Sequence, residues 1–171
     1  LIPTVDEELF DLARHRNTFI EARIKVAVSS PETIKTTHDK WFAFRRLASV
    51  GVPTPKTWLP KFFDYSFFPV IVKPRMGRGG RDIYICQNKQ EAAFAVKKVT
   101  KPIIQEFLAA QEYTVDTFSD ADGVVQIAVP RRTAMRKYGL MWRGSTEHNA
   151  VIEDTCKKAA QSLNIIGPGC F

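Results

Sequence analysis

The sequence predicts a mixed α/β fold, and three observations support this prediction. Two short β-rich runs, 70–72 and 83–86, flank a segment of glycines and arginines at 75–81, which we call the glycine loop. Helical spacing of apolar residues alternates with short apolar segments through the first 50 residues. Two further alternating segments, 113–118 and 124–129, enclose a turn sequence at 120–123. Strands, helices and hairpins are therefore all expected.

Composition limits the class of protein and the kind of partner. The chain has 171 residues, of which 44% are hydrophobic and 25% are charged, as in ordinary globular proteins. The formal net charge of +7 favours an anionic partner, whether a nucleotide, a phosphorylated metabolite or a nucleic acid. Cys86, Cys156 and Cys170 are widely spaced, which favours reduced thiols over a disulfide scaffold or a zinc site. With no apolar run of about 18 residues, a cytoplasmic protein without a membrane partner is expected.

The first 56 residues predict one helix, a strand and then two further helices. Residues 5–16 have the spacing of an amphipathic helix with acids in its first turn and bases in its last. Residues 24–28 predict a strand, and Pro31 marks the next helix start. Residues 39–50 predict a further helix that ends at Gly51, followed by an extended linker with two prolines. Both chain ends resemble interrupted elements, so a piece of a longer protein is expected.

The remaining elements follow the same two periodicities. Aromatic residues between 62 and 68 are expected to pack in a core, although an aromatic ligand box is an alternative. Helices are predicted at 89–99 and 149–163, and strands at 103–108, 113–118 and 124–129. Arg131, Arg132, Arg136 and Lys137, with Arg143 nearby, either line a site for an anionic substrate or form a solvated loop.

The glycine loop is the strongest chemical signal in the chain. It contains Arg75, Gly77, Arg78, Gly79 and Gly80, so backbone N–H groups and positive charge meet at one place, as the binding of a triphosphate requires. The chain continues into a strand, which excludes a P-loop and a dinucleotide fingerprint, because both lead into a helix. An exposed turn, an RNA-contacting segment and a nucleotide lid all fit this pattern.

Other residues of suitable chemistry lie at wide intervals. Lys40 begins a helix and Lys73 ends a strand, and two lysines together can neutralise phosphate charge. Backbone groups along Gln105–Leu108 offer partners for an adenine edge, and the carboxylate of Glu112 can accept both ribose hydroxyls. Taken singly, Lys40 fits a solvated cation and Glu106 fits a charge at a strand edge.

Six sequence blocks add specificity because of their order. They are I-P-T-x-D-E-E-L at 2–9, D-K at 39–40, G-V-P-T-P-K-T at 51–57, P-V-I-V-K-P-R-x-G-R-G-G at 69–80, Q-E-F-L-x-x-x-E-Y-T-V-D at 105–116 and L-x-I-x-G-P-G at 163–169. In this order they resemble the ATP-grasp superfamily, in particular the carbamoyl-phosphate synthase large-chain type and its stand-alone relatives. The resemblance extends over nearly the whole chain.

The resemblance implies a domain organisation. Residues 1–29 correspond to the end of a Rossmann-like pre-ATP-grasp domain, and residues 30–56 to linker helices. Residues 57–106 correspond to the small lid subdomain, and 107–171 to the truncated start of the large subdomain, with ATP between the two. This is the α+β arrangement of the ATP-grasp fold.

The resemblance also implies an activity and a set of binding residues. Enzymes of this type use ATP and Mg²⁺ to convert a carboxylate into an acyl phosphate, which an amine or similar nucleophile then attacks. Small-molecule carboxylate and amine substrates are expected, a nucleic-acid partner is not, and a homodimer is compatible. By their positions in the family's sequence blocks, the residues expected to contact the phosphates are Lys40, Lys73, Arg75, Gly77, Arg78, Gly79 and Gly80. Glu106, Phe107 and Leu108 are expected to contact adenine, and Glu112 is expected to contact ribose. Arg132 would hold a substrate anion.

The expected metal ligands are missing from the sequence. Family carboxylates in an E-x-N-P-R-type strand are expected beyond Phe171, so no metal ligand is assigned, and activity of this segment alone is not expected. Glu153 and Asp154 are interpreted as surface charges of a helix. A catalytically silent relative and a basic nucleic-acid-binding module are the alternatives.

Overall fold

The computed structural model describes residues 1–137 and 139–171, with Leu140 described in its backbone alone. It has six α-helices among these residues: α1 Asp6–Arg14, α2 Arg16–Glu21, α3 Pro31–His38, α4 Lys40–Ser49, α5 Lys89–Lys98 and α6 Ala150–Ser162. The strands are β1 Thr57–Trp58, β2 Val70–Pro74, β3 Tyr84–Cys86, β4 Pro102–Glu106, β5 Tyr113–Ser119, β6 Val125–Lys137, β7 Leu140–Thr146 and β8 Gly167–Cys170. The predicted mixed α/β class is confirmed.

Two compact units divide the chain. Unit 1 comprises residues 1–37, 113–132 and 145–171, and unit 2 comprises residues 38–112 and 133–144. One sheet has the strand order β1-β4-β2-β3 and the other has the order β7-β6-β5-β8. The pairs β1/β4, β2/β3, β2/β4, β5/β6 and β5/β8 are all antiparallel.

Unit 2 is built on the sheet that carries the glycine loop. Val70 and Val72 alternate with partly exposed neighbours along β2, so one face of the sheet is buried. That face packs on Ala92 and Ala95 of α5, whose small side chains let the helix approach the strands closely. The predicted aromatic core is confirmed around Phe63, whereas Phe62 is 63% exposed. The glycine loop therefore connects two strands held in a packed core.

Unit 1 has a smaller core under its N-terminal helices. Ala13, Val26, Val28 and Ile34 are buried together, and side chains of α1 pack against them. The hydroxyl of Ser29 accepts a hydrogen bond from the N–H of Ile166 at 2.9 Å and so ties the early chain to the segment before β8. This tie joins residues 137 positions apart in the sequence.

Several predicted boundaries differ from the structure. Residues 24–28 are not a strand, although the N–H of Ala27 donates to the carbonyl oxygen of Leu1 at 2.9 Å. The strand predicted at 103–108 ends at Glu106, so Phe107 and Leu108 lie beyond it. β6 continues to Lys137 and β7 contains Arg143, so the basic residues between 131 and 143, which we call the basic run, lie on strands instead of in a loop. Residues 167–170 form β8 beside β5, a strand that the sequence did not predict.

Candidate functional site

Three polar side chains form a row across the first sheet, on the face opposite to α5. Thr57 of β1 lies directly opposite Gln105 of β4, which in turn lies opposite Ile71 of β2. Lys73 is two residues further along β2, so it projects from the same face as Gln105. Lys73 Nζ donates to Gln105 Oε1 at 2.6 Å, and Gln105 Nε2 donates to Thr57 Oγ1 at 2.8 Å. The ammonium group of Lys73 is thus held by an uncharged amide.

Lys40 approaches the same region from the start of α4. Its backbone N–H donates to the carbonyl oxygen of Arg75 at 3.0 Å, which attaches the helix to the end of β2. Its Nζ donates to the carbonyl oxygen of Gly77 at 2.7 Å. Lys40 therefore contacts the glycine loop, and its charge acts on Lys73, which is 33 positions later in the sequence. The predicted contacts of both lysines with phosphate stay predictions.

The two lysines affect each other electrostatically. Burial, and after it the positive charge of Lys40, lowers the pKa of Lys73 from its ordinary value of 10.5 to about 8. Burial also lowers the pKa of Lys40, against the opposing effect of the nearby Asp39 carboxylate. An incoming anion would offset the cost of burying these two charges and would reduce their repulsion. We refer to Lys40 and Lys73 below as the lysine pair.

Arg75 has a structural partner. Its Nε and Nη2 atoms donate to Oδ1 and Oδ2 of Asp39 at 3.1 and 2.5 Å, and its guanidinium lies over the ring of Phe42. Asp39 is 2% exposed, and its Oδ1 also accepts the N–H of Trp41, which caps α4. The guanidinium of Arg75 therefore holds the glycine loop to α4, and its direct contact with phosphate stays a prediction.

The glycine loop has the backbone conformation that its sequence indicates. Gly77 and Gly79 have φ angles of +119° and +69°, and a Cβ added at either would meet nothing within 4 Å. The space on the Cβ side of each glycine is therefore open, whereas the carbonyl oxygen of Gly77 is occupied by Lys40 Nζ. Arg78, between them, is exposed.

A second turn closes against this loop. Gly139, between β6 and β7, has a φ of +75°, and a Cβ there would lie 2.1 Å from the carbonyl oxygen of Gly79. Gly80 lies close to the same turn, since its own Cβ would be 3.3 Å from the Cα of Gly139. The sequence gave no reason to connect these turns, because they are about 60 positions apart.

Gly139→Ala is expected to lower the free energy of unfolding by about 2 kcal/mol, from the strain of positive φ and from displacement of the glycine loop. Urea denaturation measures the loss, and faster tryptic cleavage near Arg78 reports the freed loop. Gly123→Ala is the matched control, because Gly123 has a φ of +80° but open space at its Cβ. Equal losses in the two variants would contradict the contact.

The predicted adenine-binding segment begins on the last residue of β4. The strand register places the side chain of Glu106 on the face opposite to Gln105, and its Oε2 accepts the N–H of Lys56 at 3.0 Å. The N–H of Phe107 donates to the carbonyl oxygen of Pro69. Leu108 is 56% exposed. The role of these residues toward adenine stays a prediction.

Glu112 and Arg132 are the residues predicted to bind ribose and a substrate anion. The carboxylate of Glu112 forms an ion pair with Arg136 of β6, a partner that sequence spacing did not predict. Arg132 is exposed in unit 1 and lies opposite Tyr113 in the β5/β6 register. Neither arrangement tests the predicted contacts with ribose or with a substrate anion.

Metal-binding clusters and membrane-spanning helices are both absent from the described residues. Among residues 1–137 and 139–171, no cluster of three or more His, Cys, Asp or Glu side chains is placed to hold a metal ion. Within the same residues, no helix is long and apolar enough to cross a membrane. Glu153 and Asp154 lie on α6 as predicted, with Asp154 exposed and Glu153 accepting the N–H of Asn149 through Oε1 at 3.1 Å.

Sequence comparisons identify relatives of this chain. A model of the ATP-grasp domain matches residues 37–168. A D-alanine–D-alanine ligase of Fusobacterium nucleatum is 35% identical over 119 residues, which are 67% of this chain and 41% of that protein. A carbamoyl-phosphate synthase of Methanobrevibacter smithii is 22% identical over 118 residues, 66% of this chain and 32% of that protein. The chain thus spans less than half the length of either relative.

A solved structure matches the fold over nearly all of the chain. The biotin carboxylase of Campylobacter jejuni, described as a complex with β,γ-ATP, aligns with a TM-score of 0.79 and 19% identity. The alignment covers 99% of this chain and 44% of that one. At this identity the match establishes similarity of fold and leaves the activity open.

Proposed function

This chain belongs to the ATP-grasp family, and on that premise we propose that unit 2 binds ATP with magnesium for an ATP-dependent ligase reaction. The observation that carries the proposal is the lysine pair beside the glycine loop. Two partly buried ammonium groups repel each other there, and the hydrogen-bond partner of Lys73 is neutral. A polyphosphate would supply the negative charge that this arrangement lacks.

The residues present fit a nucleoside triphosphate in chemistry. The lysine pair provides two cations, and the open space on the Cβ side of Gly77 and Gly79 provides room for phosphate oxygens. In the proposal, Arg75 shapes the loop through Asp39, and Arg78 and Gly80 complete the loop over the phosphates. The segment Glu106, Phe107 and Leu108 holds adenine, with its backbone groups as partners, and Glu112 holds ribose.

The reaction class is proposed from the family and from the relatives' names. Bound ATP would supply the γ-phosphoryl group that converts a carboxylate into an acyl phosphate for attack by an amine. The lysine pair and the glycine loop would position the phosphates and cancel their charge, which are the two main contributions of a protein to phosphoryl transfer. Arg132 is proposed to hold the substrate anion. The carbamoyl-phosphate synthase type is retained as a prediction, although identity to the D-alanine–D-alanine ligase is higher.

The wider organisation is also proposed from the family. Residues 1–29 would end the pre-ATP-grasp domain, 30–56 would form linker helices, 57–106 the lid and 107–171 the start of the large subdomain. Small-molecule carboxylate and amine substrates, a homodimer and a cytoplasmic location belong to the same proposal. Magnesium would bind with the triphosphate, and its protein ligands are not assigned.

Calorimetric titration with ATP-magnesium tests the binding proposal. Saturable binding at micromolar to millimolar concentration is expected, with GTP-magnesium as the control for recognition of the base. A parallel titration with RNA at two salt concentrations separates the alternative, because an RNA-binding module would bind RNA and lose affinity steeply with salt. RNA binding of this kind without ATP binding would overturn the proposal. Binding without turnover would favour a catalytically silent relative.

The affinity for ATP is expected to fall about 10-fold between pH 7.5 and 9, because Lys73 loses its proton near pH 8 in the free protein. The unfolded chain holds this proton up to about pH 10.5, so the free energy of unfolding should rise as the pH increases from 8 to 10.5. Titrations with ATP-magnesium across this pH range measure the fall in affinity. Lys73→Arg is the control, since its guanidinium stays charged and should flatten the profile.

A further inference from the structure

The orientation of the Gln105 amide is fixed by a short chain of hydrogen bonds. Thr57 Oγ1 donates its only proton to the carbonyl oxygen of Pro55 at 2.9 Å, so it must accept from Gln105. The amide nitrogen of Gln105 therefore faces Thr57 at 2.8 Å, and the amide oxygen faces Lys73. Thr57 is 5% exposed, so this chain of bonds is largely shielded from water.

A neutral partner has a different effect on Lys73 than a carboxylate would have. An amide oxygen accepts one hydrogen bond from the ammonium group and fixes its position, but it does not neutralise its charge. A carboxylate at the same distance would neutralise Lys73, and an arriving phosphate would then compete with an existing ion pair. The strand register places the neutral amide of Gln105 on the face that carries Lys73. The carboxylate of the adjacent Glu106 projects from the opposite face, so it does not neutralise Lys73.

We propose that Gln105 is a positioning residue, held by Thr57, which fixes the Lys73 ammonium group while leaving its positive charge for a bound polyphosphate. The inference rests on the proposed function for the identity of the anion alone. In consequence, binding of the anion is coupled to uptake of a proton above about pH 8, since the free protein has lost part of the charge on Lys73 there. A carboxylate in place of the Gln105 amide would keep Lys73 protonated in the free protein and would remove this coupling.

The first test is made without any ligand. NMR titration of the Lys73 side chain in the 171-residue protein gives its pKa directly. Gln105→Glu is expected to raise that pKa by about 1 to 3, the effect of an opposite charge in contact. Thr57→Val, which leaves the shape nearly unchanged, should loosen the amide and change the pKa less. An unchanged pKa in Gln105→Glu would overturn the positioning role.

The second test measures proton uptake on binding of ATP-magnesium, by calorimetry in two buffers of different ionisation enthalpy at pH 8.5. The wild-type protein should take up about 0.8 proton per ATP, given a pKa near 8, and Gln105→Glu about 0.2 or less, given a pKa raised by about 1 or more. The affinity of Gln105→Glu should fall about 10-fold at pH 7. Equal uptake by both proteins would overturn the inference.

The two tests separate this inference from the proposed function. If the wild-type protein did not bind ATP but Gln105→Glu still raised the Lys73 pKa, the ATP proposal would fail and the positioning role would be supported. If ATP bound with no dependence on Gln105 and the Lys73 pKa did not move, the positioning role would fail and the ATP proposal would be supported.

Discussion

Lys73→Ala is expected to weaken binding of ATP-magnesium about 100-fold at pH 7, or roughly 3 kcal/mol, the usual range for removal of a desolvated charge that contacts an anion. The size of the effect follows from the surroundings of Lys73. Its ammonium group is partly buried and bound to a neutral amide, so the proposed phosphate would be its main countercharge. Calorimetric titration gives the affinities of the two proteins.

Two controls separate loss of the site from loss of charge or fold. Lys97→Ala removes an equal charge from an exposed position on α5 in the same unit and should change the affinity less than 2-fold. Lys73→Met keeps most of the apolar stem and should bind ATP as weakly as Lys73→Ala. If Lys73→Ala bound ATP like the wild-type protein at an unchanged unfolding temperature, the assignment of phosphate to this lysine would be wrong.

Helix caps and turn glycines, which are visible in the sequence, correctly predicted the elements whose boundaries they set. α4 begins at Lys40 as predicted, because the Asp39 side chain caps it, and α5 begins at Lys89, where Asn88 accepts the N–H of Glu91 at 3.0 Å. The β2/β3 hairpin was predicted because β-branched runs flank a loop of glycines that adopt positive φ. In each case the information lies within a few residues of the element's boundary.

The missed elements depend on distant partners. β8 contains two glycines and a proline, so no strand propensity marks it, and its pairing with β5 forms the strand. Residues 24–28 have strong strand propensity, yet they receive only isolated hydrogen bonds, among them those to Leu1. β6 extends to Lys137 because it pairs with β5 as far as Arg132 opposite Tyr113 and has β7 as its other neighbour in the sheet, which charge alone does not indicate.

The candidate site was predicted only in part, because some of its contacts join residues that are distant in the sequence. The order of Lys40, Lys73 and the glycine loop indicated phosphate chemistry, and the structure places these residues together. The partners of Arg75 and Glu112 could not be predicted, since Asp39 and Arg136 lie 36 and 24 positions away. From the sequence, only the backbone of Gln105 was assigned a role. Side chains alternate between the two faces of a sheet along each strand, and this alternation in the paired strands would have placed the Gln105 side chain beside Lys73.

Asp39→Ala is expected to lower the free energy of unfolding by about 4 kcal/mol, which combines loss of a helix cap with loss of the partner of Arg75. The Asp39 carboxylate is 2% exposed and accepts bonds from Arg75 and from the N–H groups of Trp41 and Phe42. Burial would raise its pKa, but these hydrogen bonds outweigh burial and lower it. Urea denaturation at pH 7 measures the loss.

Asp39→Asn is the matched variant, because its amide oxygen can still cap α4 while the charge is lost. It should show about half the loss, and an Asp39/Arg75 double-mutant cycle should give a coupling of 1 to 3 kcal/mol. Since the pKa of Asp39 is lowered in the folded state, its contribution should be complete above pH 3.8 and should disappear as the pH falls through the lower folded value. Equal stability of Asp39→Ala and the wild-type protein at pH 7 would contradict the buried pair.

Asp39 should also affect the site without touching the ligand. It anchors Arg75, whose carbonyl oxygen accepts the backbone N–H of Lys40, so one carboxylate fixes both the glycine loop and half of the lysine pair. ATP affinity of the folded Asp39→Asn protein should therefore fall about 10-fold, less than in Lys73→Ala, because both ammonium groups remain and only their placement is lost. A larger loss of affinity in Asp39→Asn than in Lys73→Ala would mean that loop geometry contributes more to binding than the charge of Lys73.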